Sequence, residues 1–526
     1  MRILYKIANK LFRIVKKILK LLTSRMVIIG VALLLEFCWL AGIMMQLNEK
    51  SVYINYAVTI LSLIAVLSII NNPKMNPGYK LMWAVCILAL PVTGICLYGI
   101  LGHSSVARKF RTHYDTVLLS QGGVLGEEEE TRKKLEEENI LAAGQSSYLT
   151  NYAHYPVYVN TETEYYPLGD VWFEHFIEEL KKAEHYIFME YFIISEGYLW
   201  DTVLEILKEK AAAGVDVRLI YDDFGCVTTL PYQYYKSLQQ MGIKCAAFNQ
   251  FRPVLNVILN NRDHRKIAVI DGHTAFTGGI NLADEYINRK ERFGHWKDSG
   301  ICLHGEAVWS FTVMFLQMWS TITGMECNFE SYRPEIYHEE AFKKDGFVQP
   351  YGDSPLDGET VGEHVYLNII SQAKKYLYIF TPYLIPDNET LTALCMAAKR
   401  GVDVRIVTPG IPDKKIVYIL TQANYEILLE SGVQIYQYTP GFIHSKSFVC
   451  DDEVATVGTI NMDYRSMYLH FECGVWMYGS SAVAQVKEDA LTTFEQCEQI
   501  NMDYCRNKKF AVRALRGALK FLAPLL

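Results

Sequence analysis

The sequence predicts an α/β protein: two homologous α/β sandwich domains related by a pseudo-twofold axis, preceded by N-terminal transmembrane helices. Three observations predict it. The pattern His-x-Lys-x4-Asp-x6-Gly-[Gly/Thr]-x-Asn occurs twice, as HRKIAVIDGHTAFTGGIN at 264–281 and HSKSFVCDDEVATVGTIN at 444–461. Its context repeats too, with GVDVR at 214–218 and 401–405, and KKAEHYIFMEYFI from Lys181 matched by QAKKYLYIFTPYLI from Gln372. Apolar strand, helical segment, GVDVR-type strand and His/Lys strand follow in the same order each time, which suggests parallel α/β units. The third observation is a set of long apolar runs near the N-terminus.

Residues 1–25 carry Arg2, Lys6, Lys10, Arg13, Lys16, Lys17, Lys20 and Arg25 and no acid, with Leu4, Ile7, Leu11, Ile14 and Ile18 on the opposite helical face. This is a basic amphipathic helix suited to an anionic membrane surface. Residues 26–102 form a membrane segment with two or three transmembrane helices. Its runs Met26–Leu47, Val52–Ile70 and Leu81–Leu101 each approach the ~20 residues that cross a bilayer. Glu36, inside the first run, is read as a protonated or helix-packed carboxyl. Residues 103–153 read as a linker whose run EEEETRKKLEEEN (127–139) fits a solvated helix. The first sandwich spans 154–340 and the second 341–505. Residues 506–526 form a basic amphipathic tail with Lys508, Lys509, Arg513, Arg516 and Lys520, ending FLAPLL.

Half of the 526 residues are apolar, and the mean hydropathy is slightly positive, +0.06. The net charge is −7 although both ends are basic, so the middle is acidic. That argues against nucleic acid as a partner, because such binders carry a basic footprint. The twelve cysteines show no CxxC pair and no metal-ligand spacing, and reduced buried thiols are the expectation. The sequence places the chain in a cell membrane as a multi-pass protein. The side that holds the site stays open. The basic N-terminus belongs in the cytoplasm and three crossings would put the middle outside, yet nine cysteines without a disulfide pattern suit the reducing side.

The doubled pattern gives the candidate catalytic set: His264, Lys266 and Asp271, then His444, Lys446 and Asp451. Residues two apart in a strand share a face, so each His and Lys point together. Asp271 and Asp451 have the opposite parity and fall at turns, where they should pin a hairpin or neighbouring strand. Facing halves would converge two His, two Lys and two Asn on one point. Lysines neutralise phosphate oxygens, and Asn281 and Asn461 donate to them. One imidazole attacks phosphorus while the other protonates the leaving oxygen on the far side. With an ordinary pKa near ~6.5, one neutral and one protonated ring coexist at neutrality. No metal or other cofactor is needed in this scheme. A histidine also needs a partner to fix its tautomer. Glu472 in LHFECGVW is the candidate in the second half, and Asp298 in HWKDSG, or Glu285 in NLADEY, in the first. Tyr191 and Tyr383, at the ends of matching strands, are candidates for the mouth or for core packing.

At these residues the chain resembles the phospholipase D superfamily, whose mark is this HKD pattern. NNPKMNPGYKLMWAVCILALPVTGICLYGILG (71–102), NRDHRKIAVIDGHTAFTGGINLADEY, TPYLIPD, GTINMDYRS and the FLAPLL end are similar to bacterial cardiolipin synthases. The resemblance implies transfer of a phosphatidyl group between two phosphatidylglycerol molecules, giving cardiolipin and glycerol, with His264 the first choice of nucleophile. It departs from the pattern in its basic leader and extra apolar run, and in carrying Gly279 and Thr459 where many superfamily members have Ser. A hydrolytic phospholipase D, or another phosphatidyltransferase, carries the same motif. An inactive lipid-binding scaffold would normally have lost a His or Lys, and here both pairs are intact.

Overall fold

The computed structural model describes residues 25–44, 49–73, 75–102, 108–120, 123–126, 129–250, 261–506 and 510–525. The chain divides into two compact units, Met1–Val106 with Phe251–Asn260 and Ala107–Gln250 with Asn261–Leu526.

The first unit contains helices Arg25–Met44, Glu49–Ile70, Pro77–Ala89 and Pro91–Leu101. Among the described residues one helix is long and apolar enough to cross a membrane, the 19-residue Val52–Ile70. The expected third span is not one helix. Pro91 has no N–H to continue the preceding helix and starts a new one at its first position. The resulting helices of 13 and 11 residues reach about 20 and 17 Å, short of the ~30 Å apolar core. Glu36 is buried in this unit, and its Oε2 accepts the Thr93 N–H at 2.7 Å. Thr93 is the third residue of the Pro91 helix, whose own N-cap, Leu90, offers no side-chain acceptor. A carboxylate from another helix thus fills the cap and meets the positive end of the helix dipole. The basic helix read over residues 1–25 lies outside the described residues except for Arg25.

The second unit holds two sheets. The first half supplies β1 (Thr161–Tyr166), β2 (Tyr186–Tyr191), β3 (Asp216–Asp222), β4 (Lys244–Phe248), β5 (Lys266–Ile270), β6 (Thr274–Gly278), β7 (His295–Lys297) and β8 (Gly300–Gly305). The second supplies β9 (Phe347–Asp353), β10 (Tyr376–Phe380), β11 (Leu384–Ile385), β12 (Asp403–Pro409), β13 (Gln434–Tyr438), β14 (Gly441–Ile443), β15 (Ser447–Cys450), β16 (Val454–Gly458), β17 (Met462–Asp463), β18 (Glu472–Tyr478) and β19 (Cys497–Ile500). The strand orders are β1-β8-β6-β5-β2-β3-β4 and β9-β18-β16-β15-β10-β12-β13-β19. Strand for strand they match, with β19 added at one edge.

The sheets are mixed, with the expected parallel α/β units beside antiparallel strands. β2, β3 and β4 run parallel, as do β10, β12 and β13. The His/Lys strands β5 and β15 pair antiparallel with β2 and β10. The cause is local. Asp271 and Asp451 end these strands in tight turns with left-handed φ of 47° and 56°, so a hairpin follows instead of a crossover helix. Helices Gly169–Lys182 and Tyr198–Ala212 bury Trp172, Phe176, Leu180, Trp200 and Leu207 in the core of the first half. The almost wholly buried helix Val308–Thr323 packs against strands of both sheets, including β5 and β9.

The described part of the stretch read as a linker, from Arg108 on, belongs to this unit. Asn139 caps the helix Ile140–Tyr152, whose Ala142, Ala143 and Leu149 enter the second-half core. Gln145 donates to the Val365 carbonyl at 3.2 Å. The C-terminal helix Phe510–Leu522 lays Leu519, followed by Ala523, on Leu420, Ile385 and Tyr464. Part of its apolar face is therefore covered by protein. All twelve cysteines are free thiols, with Cys302, Cys450 and Cys473 buried on strands.

Candidate active site

At the site, two short backbone pairings join the halves. β14 runs parallel to β7, placing Ile443 beside Lys297, and the His444 N–H donates to the Lys297 carbonyl at 2.7 Å. In the other direction, the His264 N–H donates to the Phe471 carbonyl at 2.9 Å and the Phe471 N–H to the Arg262 carbonyl at 2.8 Å. Lys297 precedes Asp298 and Phe471 precedes Glu472. Each histidine is thus set beside the carboxylate of the opposite half. His264 Nδ1 lies 2.9 Å from both Glu472 oxygens, and His444 Nδ1 lies 2.6 Å from Asp298 Oδ2. A reading in which each half orients its own histidine is thereby corrected. Glu285 is elsewhere, paired with Arg292 at 2.9 Å.

Both lysines are buried and turn back on their own histidines. Lys266 Nζ donates to the His264 carbonyl at 2.6 Å, and Lys446 Nζ donates to that of His444. The two motif aspartates make the same three bonds in each half. Asp271 accepts from the N–H groups of Glu184, His185 and Tyr186 at 2.7–2.8 Å. Asp451 accepts from those of Lys374, Lys375 and Tyr376 at 2.6–2.8 Å. They fasten the His/Lys hairpin to the start of β2 or β10, and their inclusion in the reacting set is corrected accordingly.

The asparagines differ. Asn281 Oδ1 accepts the Ile193 N–H at 3.0 Å and its Nδ2 donates to the Tyr286 hydroxyl at 2.7 Å, so this amide is already engaged. Asn461 Oδ1 is buried without a hydrogen-bond partner. Tyr191 is buried in the first-half core. Tyr383 donates to Asp413 at 2.6 Å.

Burial dominates the electrostatics. It pushes His264 down to about 3, with Glu472 opposing and Lys266 adding, and holds His444 well below the usual imidazole range, helped by Lys446 and Lys266. The free site therefore holds two neutral rings, not the mixed pair that an unperturbed pKa implies. Burial likewise pushes Lys266 down to about 8 and Lys446 to about 7. The two carboxylates part company. Burial pushes Asp298 up to about 7 against the pull of Lys446. At Glu472 burial acts the same way, but His264 outweighs it and the carboxyl lies below its usual range.

The chain matches the family described as "Cardiolipin synthase, PLD-like domain" over residues 176–319 and 366–493. It belongs to that family. Residues 60–103 match the family described as "Phospholipase_D-nuclease N-terminal". A cardiolipin synthase of Alkalihalophilus pseudofirmus is 34% identical over 472 residues, 89% of this chain and 92% of the relative. An uncharacterized protein of Streptococcus mutans is 43% identical over 88% of this chain and 99% of its own length. In fold, the chain is similar to the crystal structure of phosphatidylserine synthase from Haemophilus influenzae, with a TM-score of 0.55, 16% identity, and coverage of 73% of this chain and 100% of that one.

At the site of this cardiolipin synthase family member stand the two positions read as departures, Thr459 and Gly279, and several residues that escaped the sequence reading. Thr459 Oγ1 donates to Glu472 Oε2 at 2.5 Å. Gly279 occupies the matching place, where a Cβ would meet Asp298 Oδ1 at 2.0 Å. His470 lies with its ring 5.5 Å from that of His264, while Trp296, Tyr286 and Phe442 ring His444 at 5.6–5.7 Å. The one available signal for His470 and Trp296 was spacing: each stands two residues before the orienting carboxylate.

Proposed function

We propose that this chain transfers a phosphatidyl group between two phosphatidylglycerol molecules, forming cardiolipin and glycerol through a phosphohistidine. The observation that carries the reading is the cross-half pairing of each histidine's Nδ1 with a buried carboxylate. It aims both Nε2 atoms away from their anchors, beside two lysines held on the same histidines. The catalytic groups are His264, Lys266, His444 and Lys446, with Glu472 and Asp298 as positioning residues and Asn461 donating to phosphate. The two halves act across a pseudo-twofold axis.

The carboxylates assign the roles. Ionised Glu472 takes the Nδ1–H of His264, leaves a lone pair on Nε2, and balances the positive charge this ring gains on phosphorylation. Asp298, with its raised pKa, lets the His444–Asp298 pair hold one extra proton near neutrality, with an N–H at Nε2. His264 Nε2 then bonds to phosphorus as the phosphorus–glycerol oxygen bond breaks, and His444 Nε2 gives its proton to that oxygen. The lysines neutralise the phosphoryl oxygens. In the second step His444 takes the proton from the primary hydroxyl of another phosphatidylglycerol. That oxygen bonds to phosphorus, the P–N bond breaks, and the starting state returns.

The apolar N-terminal helix holds the protein in the cell membrane, with Arg25–Met44 a further span. The tail beyond Arg506 contacts anionic lipid. Purified protein in detergent with labelled phosphatidylglycerol is expected to give cardiolipin and free glycerol without added divalent metal. Phosphatidic acid as the main product would instead make the chain a hydrolase.

A further inference from the structure

The central parallel strands of both halves end in loops that flank the site. In the first half the loop after β3 presses Gly225 against Phe192, whose ring lies 5.0 Å from that of His264. In the second, the loop after β12 bonds the Ile411 N–H to the Gly441 carbonyl at 3.0 Å, three residues before His444. From the same loop Lys414 reaches the Tyr383 hydroxyl at 3.4 Å.

Both loops turn large apolar side chains outward. Val227 and Tyr232 are 45% and 79% exposed on the first, Ile411 and Ile416 41% and 52% on the second. Exposed Lys414 and Lys415 stand among them. Helix Lys415–Ala423, which begins here, is the support on which the C-terminal helix rests, and that helix exposes Leu515 and Arg513. Single exposed apolar residues are ordinary. Apolar residues on the corresponding loops of two matched halves, joined on the second by Lys414 and Lys415 in a chain of net charge −7, have the composition of a surface that enters a lipid headgroup layer.

We infer that these two loops, with the start of helix Lys415–Ala423, form a rim that penetrates an anionic bilayer surface and opens the site toward lipid phosphates. The rim is separate from the N-terminal helices: it docks the mouth of the site, whereas they tether the chain. The lysines meet lipid phosphates, and the apolar tips enter the acyl boundary so that a head group reaches the histidines without leaving the membrane.

The proposal rests on lipid phosphate being the substrate, so its test has two readouts. The full chain carrying Val227→Asp, Tyr232→Asp and Ile416→Asp is assayed on phosphatidylglycerol in vesicles and on dispersed dihexanoyl phosphatidylglycerol. The expected result is at least about a tenfold loss of kcat/KM on vesicles with dispersed-substrate turnover unchanged, the latter also reporting that the variant folds. Equal loss on both substrates, or no loss on either, overturns the rim. Independently of turnover, amides of 223–233 and 411–420 are expected to exchange more slowly in nanodiscs containing phosphatidylglycerol than in detergent. Unchanged exchange overturns the rim even where cardiolipin is made.

Discussion

His264 Nδ1 sits 2.9 Å from both carboxylate oxygens of Glu472, a residue 208 positions further along the chain and in the other half of the molecule. The reciprocal pair, His444 with Asp298, spans 146 positions. Neither half can orient its own histidine, so duplication here is an obligation: one half alone would leave an imidazole without a partner and a buried carboxylate without a counter-group.

Neutralising either carboxylate isosterically should therefore cripple the opposite half's histidine. Glu472→Gln and Asp298→Asn are each expected to lower kcat by about 10²- to 10⁴-fold, because an amide at 472 can hold His264 in the wrong tautomer and an amide at 298 removes the extra proton that lets His444 act as acid and then base. Steady-state transfer of labelled phosphatidylglycerol measures this. A variant within a factor of a few of the unmodified enzyme would show that the contact is merely structural.

Both imidazoles are required in a shared site. His264→Ala and His444→Ala should each reduce turnover to background in the same assay, with far-ultraviolet circular dichroism unchanged. Substantial activity in either single variant would mean that the two halves work as separate sites.

The His/Lys pairs and both carboxylates were legible because each stands inside a local strand pattern. Which carboxylate serves which histidine was not, since that depends on Ile443 lying beside Lys297 and on the Asp263–Phe471 bridge, pairings between distant segments with no local signature. The engagement of Asn281 by Tyr286 was hidden for another reason: the Gly-x-x-Asn tail recurs in both halves, and nothing in it tells that the fifth residue on, Tyr286 in one half and Ser466 in the other, meets the amide in the first alone. In the membrane segment, averaging hydropathy over Leu81–Leu101 concealed a break that Pro91 alone announces. The antiparallel hairpin after each His/Lys strand was announced by its Asp-Gly or Asp-Asp turn, whereas the antiparallel pairing of the His/Lys strands with β2 and β10 joins segments distant in sequence and had no local signal.

Asp271 and Asp451 should matter to stability far more than to chemistry. Each takes up three backbone N–H groups, and leaving such donors unpaired costs on the order of 1 kcal/mol or more apiece. Asp271→Ala and Asp451→Ala are expected to lose about 3 kcal/mol, read as an earlier denaturation midpoint. kcat per folded molecule should stay within a few-fold. Lost kcat with undiminished stability would return the aspartates to the reacting set.

Thr459 is a positioning residue acting through Glu472. Its hydroxyl favours the ionised carboxylate, so Thr459→Val should raise the pKa of that carboxyl and move the acid limb of the kcat profile upward. A loss of about tenfold in kcat is expected to accompany the shift. Thr459→Ser should restore both. A lower rate with an unmoved acid limb would point to packing alone.

The alkaline limb follows from three buried groups. Lys446 near about 7, Lys266 near about 8 and Asp298 near about 7 hold their protons below these values and lose them above. Loss from the lysines removes the positive charge that binds the phosphodiester. Loss from the His444–Asp298 pair removes the proton needed by the departing glycerol. Both changes act in the same direction, so kcat/KM for phosphatidylglycerol should fall as pH rises from about 7 to 9. The bound phosphodiester anion stabilises the protonated lysines, so kcat should fall at higher pH than kcat/KM. Asp298→Asn should remove the contribution of the pair and leave a limb set by the lysines alone. A kcat/KM that rises through this window in the unmodified chain would refute the assignment of His444 and Asp298 as the proton-holding pair.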